Sequence, residues 1–418
     1  MTATAVRPNR ITASTPQARA ETSSTGKPNP IAHLSPEQIE AIGRELDALR
    51  DEVMSSRGAA DAAYIRKVIR AQRMLEAASR IVLLFSKFPP AFLAGTAGLT
   101  VAKIIENTEI GHNILHGQWD WMRDDKIHSS TWEWDFASPA EQWKKSHNVE
   151  HHTYTNVVGM DNDLGYNIMR VDPDQEWEFK HLYQPVTNFF TALFFEYGIA
   201  AYDLKLKEWK DGTHPHEEFM ADLKHMLKKL QKQMAKDYVI HPLLSGTSAL
   251  STLAANAIAN TLRNVWTHSV ILCGHLPDGV ETFETESIEG ETRGEWYLRQ
   301  MLGSANIHGS KLMHLMTGNL SHQIEHHLFP DMPSNRYHQI APRIRELMER
   351  HGLRYVSGPL PKQVGSAWAK VLRYSLPNKA DGVSQWRQVA DAAREAVGDA
   401  VRNTRGMWRP RRMAAVSA

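Results

Sequence analysis

From Ser35 onward, helical stripes alternate with long apolar runs. Isoleucine and leucine recur at Ile39, Ile42, Leu46 and Leu49, the three- and four-residue spacing of one helix face. Ser35 stands where an N-cap belongs, Pro36 at the first helical position, and Gln38 where it closes a capping box, so a helix is predicted to start there. A second amphipathic helix is predicted over 60–79. Four apolar segments break this alternation. Residues 88–105 carry one charge, Lys103; residues 184–202 carry one, Glu196; 238–262 and 264–276 carry none. The pattern alone leaves two readings open, helices buried in a soluble core or membrane spans.

Polar blocks separate the apolar segments. Residues 117–174 hold Trp119, Trp121, Trp132, Trp134 and Trp143, a density that suits a membrane–water boundary or a set of core anchors. Residues 205–237 read as one or two solvated helices. Residues 1–32, rich in Ser, Thr, Pro and Ala, are predicted to lack fixed structure. A main domain is expected over 33–376 and a polar, basic tail over 377–418. The mean hydropathy of −0.44 is low for a polytopic membrane protein.

Charge adds little: 48 Lys and Arg against 47 Asp and Glu leave a net +1, which gives no argument for a nucleic-acid partner. One cysteine, Cys273, excludes an internal disulfide and suits a reducing interior. The start of the chain lacks the pattern of a secretory signal.

Histidine changes the picture, with 21 residues in three notable clusters. "GHNILHG" holds His112 and His116, "HNVEHH" holds His147, His151 and His152, and "HQIEHH" holds His322, His326 and His327. On a helix, positions i and i+4 share a face, so each cluster presents an imidazole pair in one direction. The adjacent third histidine is rotated by about 100° and reaches a second, nearby ion. At this histidine frequency one His-x-x-x-His-His is expected by chance about 0.05 times, and two about 10⁻³ times. Structural zinc favours four ligands, often thiolates, which this chain lacks. A nitrogen-rich set of this size fits two ions of iron, zinc or copper. Glu150 and Glu325 hold the same slot before each His pair and are expected to fix imidazole tautomers, as are Asp161 and Asp163 in "GMDNDLGY". Glu109 shares a face with His112 and His116. A soluble di-iron carboxylate bundle would use Glu-x-x-His, found at Glu109–His112 and Glu178–His181, but it would leave the three clusters without a role.

The three clusters, with "AKIIENTEIGHNILHGQWDWM", "NVWTHSVILCGHLPDG" and "HQIEHHLFPDMPSNR", resemble the membrane-bound fatty acid desaturase/hydroxylase superfamily, and within it the stearoyl-CoA Δ9-desaturase type, over roughly residues 32–376. The resemblance implies an all-α polytopic membrane bundle of about four transmembrane helices with a cytosolic helical cap carrying a di-iron site. It implies an O2-dependent enzyme that places a cis double bond in a saturated long-chain acyl-CoA, in the cell membrane with its active site facing the cytoplasm. The two iron ions would be held by His112, His116, His147, His151, His152, His322, His326 and His327. A further ligand histidine is implied between the second and third clusters, with His275 the best match and His268 the runner-up. Some relatives carry Gln-Ile-Glu-His-His in the third cluster; this chain has both His322 and Gln323, and spacing favours His322. Cys₄ iron–sulfur spacing, a haem-domain motif and a GxGxxG fingerprint are all missing, so a separate NAD(P)H-dependent flavin/iron–sulfur reductase is expected to supply electrons. A hydroxylase of the same superfamily and a non-catalytic metal- or lipid-binding membrane protein are the competing functions.

Overall fold

The computed structural model describes residues 27–395 apart from 162, 380 and 381. The predicted cap is present. Ser35 Oγ accepts from the Gln38 N–H at 3.3 Å, and Gln38 Oε1 accepts from the Ser35 N–H at 2.8 Å. Helix α1 (Pro36–Ser55) follows, with Ile39, Ile42, Leu46 and Leu49 all buried. Helix α2 (Ala59–Leu83) and helix α3 (Pro89–Ile105) form a hairpin. The segment at 184–202 breaks near Phe194 into α4 (Gln184–Leu193) and α5 (Phe195–Asp203). The charged block holds α6 (His216–Met234). The apolar stretches at 238–262 and 264–276 do not form two helices. A turn at Gly246 precedes one continuous helix, α7 (Ala249–His275). Among the helices that follow are α8 (Arg293–Leu302), α9 (Gln323–Leu328), α10 (Tyr337–Arg350) and α11 (Leu360–Tyr374). Two short strands, Asn306–His308 and Ser357–Pro359, pair in parallel.

Two cores frame the molecule. In one, α1 packs on α8, α9 and α10, with Ile42, Leu46, Tyr297, Ile324, Phe329 and Ile344 fully buried. Each such aliphatic side chain contributes about 1.5–3 kcal/mol, and together they fix α9, which carries the third histidine cluster. In the other, Trp134, Phe136, Trp143, Phe195, Leu272 and Leu276 pack beneath the second cluster.

The lone charges of the apolar segments find partners. Lys103 lies 2.7 Å from Asp237, which also takes Arg80 at 2.9 Å. Glu196 pairs with Arg263, the residue between the two charge-free stretches, and both are buried. Desolvation makes an isolated ion intolerable there, so each charge is retained only with its counter-ion. Among the described residues no helix is long and apolar enough to cross a membrane. Asn256, Asn260, Arg263 and Asn264 dilute α7, and the break near Phe194 shortens the second segment.

Of the stretch expected to lack structure, residues 1–26 lie outside the described residues. Residues 27–32 are held in place: Lys27 lies 2.5 Å from Asp172, and Ile31 is buried. The basic run at 402–412 also lies outside the described residues.

Candidate metal centre

Helix α3 does not end at Ile105. It widens into a π-helical stretch, Glu106–His112, then resumes as Asn113–Leu115. A second π stretch, Lys144–His151, carries the second cluster. Insertions of this kind re-aim side chains and gather at functional sites. Here they turn His112, His116, His147, His151 and His152 inward. The C-terminus of α7 brings His275, and α9 brings His326 and His327.

These eight imidazoles form one buried cluster. The ligand nitrogens of His112, His116, His147 and His326 all lie within 4.8 Å of one another, as do those of His151, His275 and His327, and those of His147, His151 and His152. His152 lies centrally, with ring centroids 4.7 Å from His116, 4.9 Å from His326 and 4.5 Å from His327.

The outer nitrogens are tied down. Nδ1–H of His112 donates to Asn113 Oδ1 at 3.1 Å, that of His147 to Asp163 at 3.0 Å, and that of His151 to Asp161 at 2.9 Å. His275 Nδ1 donates to the Gly303 carbonyl at 3.3 Å, His326 Nδ1 to the Tyr337 hydroxyl at 3.2 Å, and His327 Nδ1 to Gln300 Oε1 at 3.2 Å. Each of these bonds fixes one tautomer and leaves the Nε2 lone pair facing the cluster. The buried Nε2 atoms of His116, His147, His152 and His326 have no hydrogen-bond partner. Burial holds His116, His147, His152, His326 and His327 well below the ordinary imidazole range, so they are neutral and able to ligate. His151 is the exception. Burial opposes its charge, but Asp161 and Asp163 outweigh burial and raise its pKa to about 9. Buried, neutral, convergent imidazoles with orphaned nitrogens fit divalent metal ions, and an all-nitrogen donor set suits iron.

His322 does not join them. It caps α9 with φ −105° and ψ 56°, so it lies out of phase with the helix. Its ring stacks on His314 at 4.6 Å instead, with Nε2 buried and unpartnered. The i, i+4 pair on α9 is Gln323 with His327. Gln323 Nε2 lies 3.0 Å from His275 Nε2 and 3.1 Å from His327 Nε2, and its Oε1 is buried with no partner. Gly274 makes room for it, since a Cβ there would stand 2.9 Å from the Gln323 Cδ. Equal spacing of the two clusters pointed to His322 because the helix start could not be read to one residue.

The glutamates also lie elsewhere. Glu150 pairs with Lys205 on the outer side of its helix. Glu325 accepts from Asn306 at 2.7 Å and Tyr355 at 2.9 Å, and lies 3.8 Å from His322, which is outside the cluster. The orienting carboxylates are Asp161 and Asp163. The orienting residues Gln300 and Tyr337 carried no motif that would single them out in sequence. His268 donates to Asn188 Oδ1 at 3.0 Å, a satisfied core histidine. Glu109 accepts from Tyr64, Asn319 and Ser334 rather than facing an ion. Glu178 and His181 share a capping turn remote from the cluster.

A narrow cavity opens beside His112 and His147, walled by Trp134, Phe136, Trp143 and Phe195 among others.

Residues 87–359 match the family model "Fatty acid desaturase". The chain belongs to the fatty acid desaturase family. It is 47% identical over 353 residues to an NADPH-dependent stearoyl-CoA 9-desaturase of Mycobacterium tuberculosis, covering 84% of this chain and 83% of that protein. It is 27% identical over 218 residues to an sn-1 linoleoyl-lipid 6-desaturase of Arthrospira platensis, covering 51% and 58%. A second sn-1 linoleoyl-lipid 6-desaturase, from Synechocystis, is 25% identical over 272 residues, covering 64% and 75%. This desaturase is an oxidoreductase, and the eight imidazoles of its buried cluster come from four separate places in the chain.

Proposed function

We propose that this desaturase introduces a cis Δ9 double bond into a saturated long-chain acyl-CoA, with O2 as oxidant and an NAD(P)H-linked flavin/iron–sulfur reductase as electron donor. One observation carries the reading: two of the converging imidazoles, His112 and His147, stand in the wall of a cavity lined largely by apolar and aromatic side chains. His112, His116, His147 and His326 would hold one iron, and His151, His275 and His327, with Gln323 beside them, the other. His152 lies between the two sets. When bound, the irons supply the O2-dependent oxidation that unactivated C–H bonds require and no side-chain acid or base can perform. The acyl chain gives up two hydrogens. Two further electrons and two protons come from outside, and O2 leaves as two waters.

The chain's own residues do the rest. Trp134, Trp143 and Phe136 exclude water from the wall and hold the methylenes against the imidazoles. Asp161 and Asp163 keep His151 and His147 in the ligating tautomer.

The hairpins are proposed to enter the lipid bilayer of the cell membrane as a packed bundle, with the histidine cluster on the cytoplasmic side. The polar side chains that dilute α7, Asn256, Asn260, Arg263 and Asn264, are all buried against neighbouring helices. Its outer face shows Leu250, Ile258 and Leu262, and the α2–α3 turn shows Phe85 and Phe88. A helix average therefore understates what lipid would meet.

The test is turnover of saturated acyl-CoAs by iron-loaded protein with a reductase, read by mass spectrometry. Loss of two hydrogens between C9 and C10 is the expected result. A gain of one oxygen would make it a hydroxylase, and no change would remove it from catalysis.

A further inference from the structure

Most of the cavity wall beside His112 and His147 is apolar or aromatic, but Ser146, Asp163, Tyr202 and Asp203 line it too. Asp163 is engaged by His147. Asp203 has no such partner among the imidazoles. It is the last residue of α5, just past the apolar segment at 184–202, and about 5% exposed.

Its surroundings set it apart from the other buried charges. Lys103 has Asp237, and Glu196, on the same helix as Asp203, has Arg263. Asp203 is met by two hydroxyls instead: Ser138 Oγ donates to Oδ2, and Ser146 Oγ donates to Oδ1 at 2.5 Å. The cations on neighbouring elements are committed elsewhere. Lys205 pairs with Glu150, and Lys229 of α6 pairs with Glu133 and donates to the Ser138 carbonyl at 2.6 Å. His147, in the same wall, is held neutral by burial. The charges felt by Asp203 from Asp163 and Glu150 are negative. The C-terminal end of a helix also disfavours an anion. A carboxyl buried without a counter-ion takes up a proton rather than stay charged. Burial pushes the Asp203 carboxyl up to about 7 against the pull of the two hydroxyls, and Asp163 and Glu150 add to the rise.

The hydroxyls accommodate both protonation states. Each serine has a second acceptor within reach, the Pro139 carbonyl at 3.4 Å for Ser138 and the Trp143 carbonyl at 3.2 Å for Ser146. With a proton on Oδ1, Asp203 donates to Ser146 Oγ, and Ser146 turns its own hydrogen to the Trp143 carbonyl. No donor is stranded in either state. The neighbouring Tyr202 hydroxyl is buried with no partner.

We infer that Asp203, seated on Ser138 and Ser146 in the wall of the cavity beside His112 and His147, holds one of the two protons that the reaction draws from outside and passes it into the cavity. The inference rests on the O2-dependent acyl-CoA reading above and names the residue that stores the proton. The Asp203 O–H bond breaks, the proton leaves in one of the two waters formed from O2, and the carboxylate is reprotonated from solvent before the next turnover. No electron moves on the residue, and it ligates no ion.

The experiment uses the full-length, iron-loaded protein. The infrared difference between wild type and Asp203→Asn should contain the carbonyl stretch of a protonated carboxyl, shifted in D2O and lost as the pH is raised. Iron content and acyl-CoA affinity of the variant should match wild type, while kcat falls about 100-fold, the lower end for a lost proton donor. The wild-type kcat should decline over the same pH range in which the band is lost. That decline should vanish in Asp203→Asn, and Asp203→Glu should restore both it and the rate. If Asp203→Asn does not fold, Ser146→Ala is read in its place and must move the frequency of the band, because Ser146 bonds that carboxyl. A difference spectrum without the band, or an unmoved band in Ser146→Ala, overturns the inference. So does a folded Asp203→Asn with wild-type kcat and pH profile. A wild-type protein that converts no acyl-CoA overturns the acyl-CoA reading and the proton's destination with it. Wild-type turnover with no carboxyl band overturns the proton site alone.

Discussion

Replacing Asp161 by asparagine tests how the ligand set is held. Asp161 is buried; Oδ1 accepts from His151 Nδ1 at 2.9 Å, and Oδ2 accepts from the Asn156 N–H at 2.7 Å. Asparagine keeps the shape and one acceptor but removes the charge. In the metal-free protein that charge, aided by Asp163, overcomes burial and lifts His151 from 6.5 to about 9. A group whose pKa is raised on folding stabilises the protein fully below its unfolded value and ceases to as pH rises through the folded one. The wild-type metal-free protein should therefore lose about 3 kcal/mol between pH 6.5 and 9, at about 1.36 kcal/mol per unit. The variant should show a clearly shallower loss across that window, with Asp163 supplying what remains. Outer carboxylates of this kind contribute about 10–100-fold to metal affinity, so the iron-loaded variant should surrender iron to a competing chelator at correspondingly lower concentration. Denaturant melts of the metal-free protein at stepped pH, with chelator titration of the loaded protein, measure both. If the variant keeps the wild-type pH slope and iron affinity, Asp161 does not orient His151 and the account of the outer nitrogens is wrong.

Two further outcomes follow from the geometry. Gln323→Ala should lower bound iron and abolish turnover, whereas His322→Ala should retain two irons; metal analysis showing the reverse restores the spacing argument. Glu196→Gln leaves Arg263 buried without its counter-ion and should cost about 3–5 kcal/mol, while Glu196→Leu with Arg263→Met should restore most of that. Equal losses in the single and double variants, measured by thermal unfolding in the same detergent, would show that the pair is not what the site depends on.

Much of this protein is legible in one dimension wherever the signal is local. The start of α1 follows from Ser35, Pro36 and Gln38, because a cap is decided within four residues. The three histidine clusters stand out because their spacing is improbable by chance, and a nitrogen-rich donor set already names the chemistry. The resemblance they carry extends to His275, whose imidazole stands beside His151 and His327. What spacing could not decide was phase. His322 and Gln323 differ by one position, and the start of α9 at Gln323 turns one toward His275 and the other toward His314. Nor could it show the π stretches at Glu106–His112 and Lys144–His151, which depend on tertiary packing rather than on propensity. Partners distant in sequence were likewise invisible. Tyr337 and Gln300 hold imidazoles of the cluster, Lys103 finds Asp237, and Glu196 finds Arg263, each pair brought together only by helix packing. Residue types and local spacing set which chemistry is available here; the fold decided which side chains perform it, because helix phase and counter-ion pairing are properties of packed elements and not of the residues one by one.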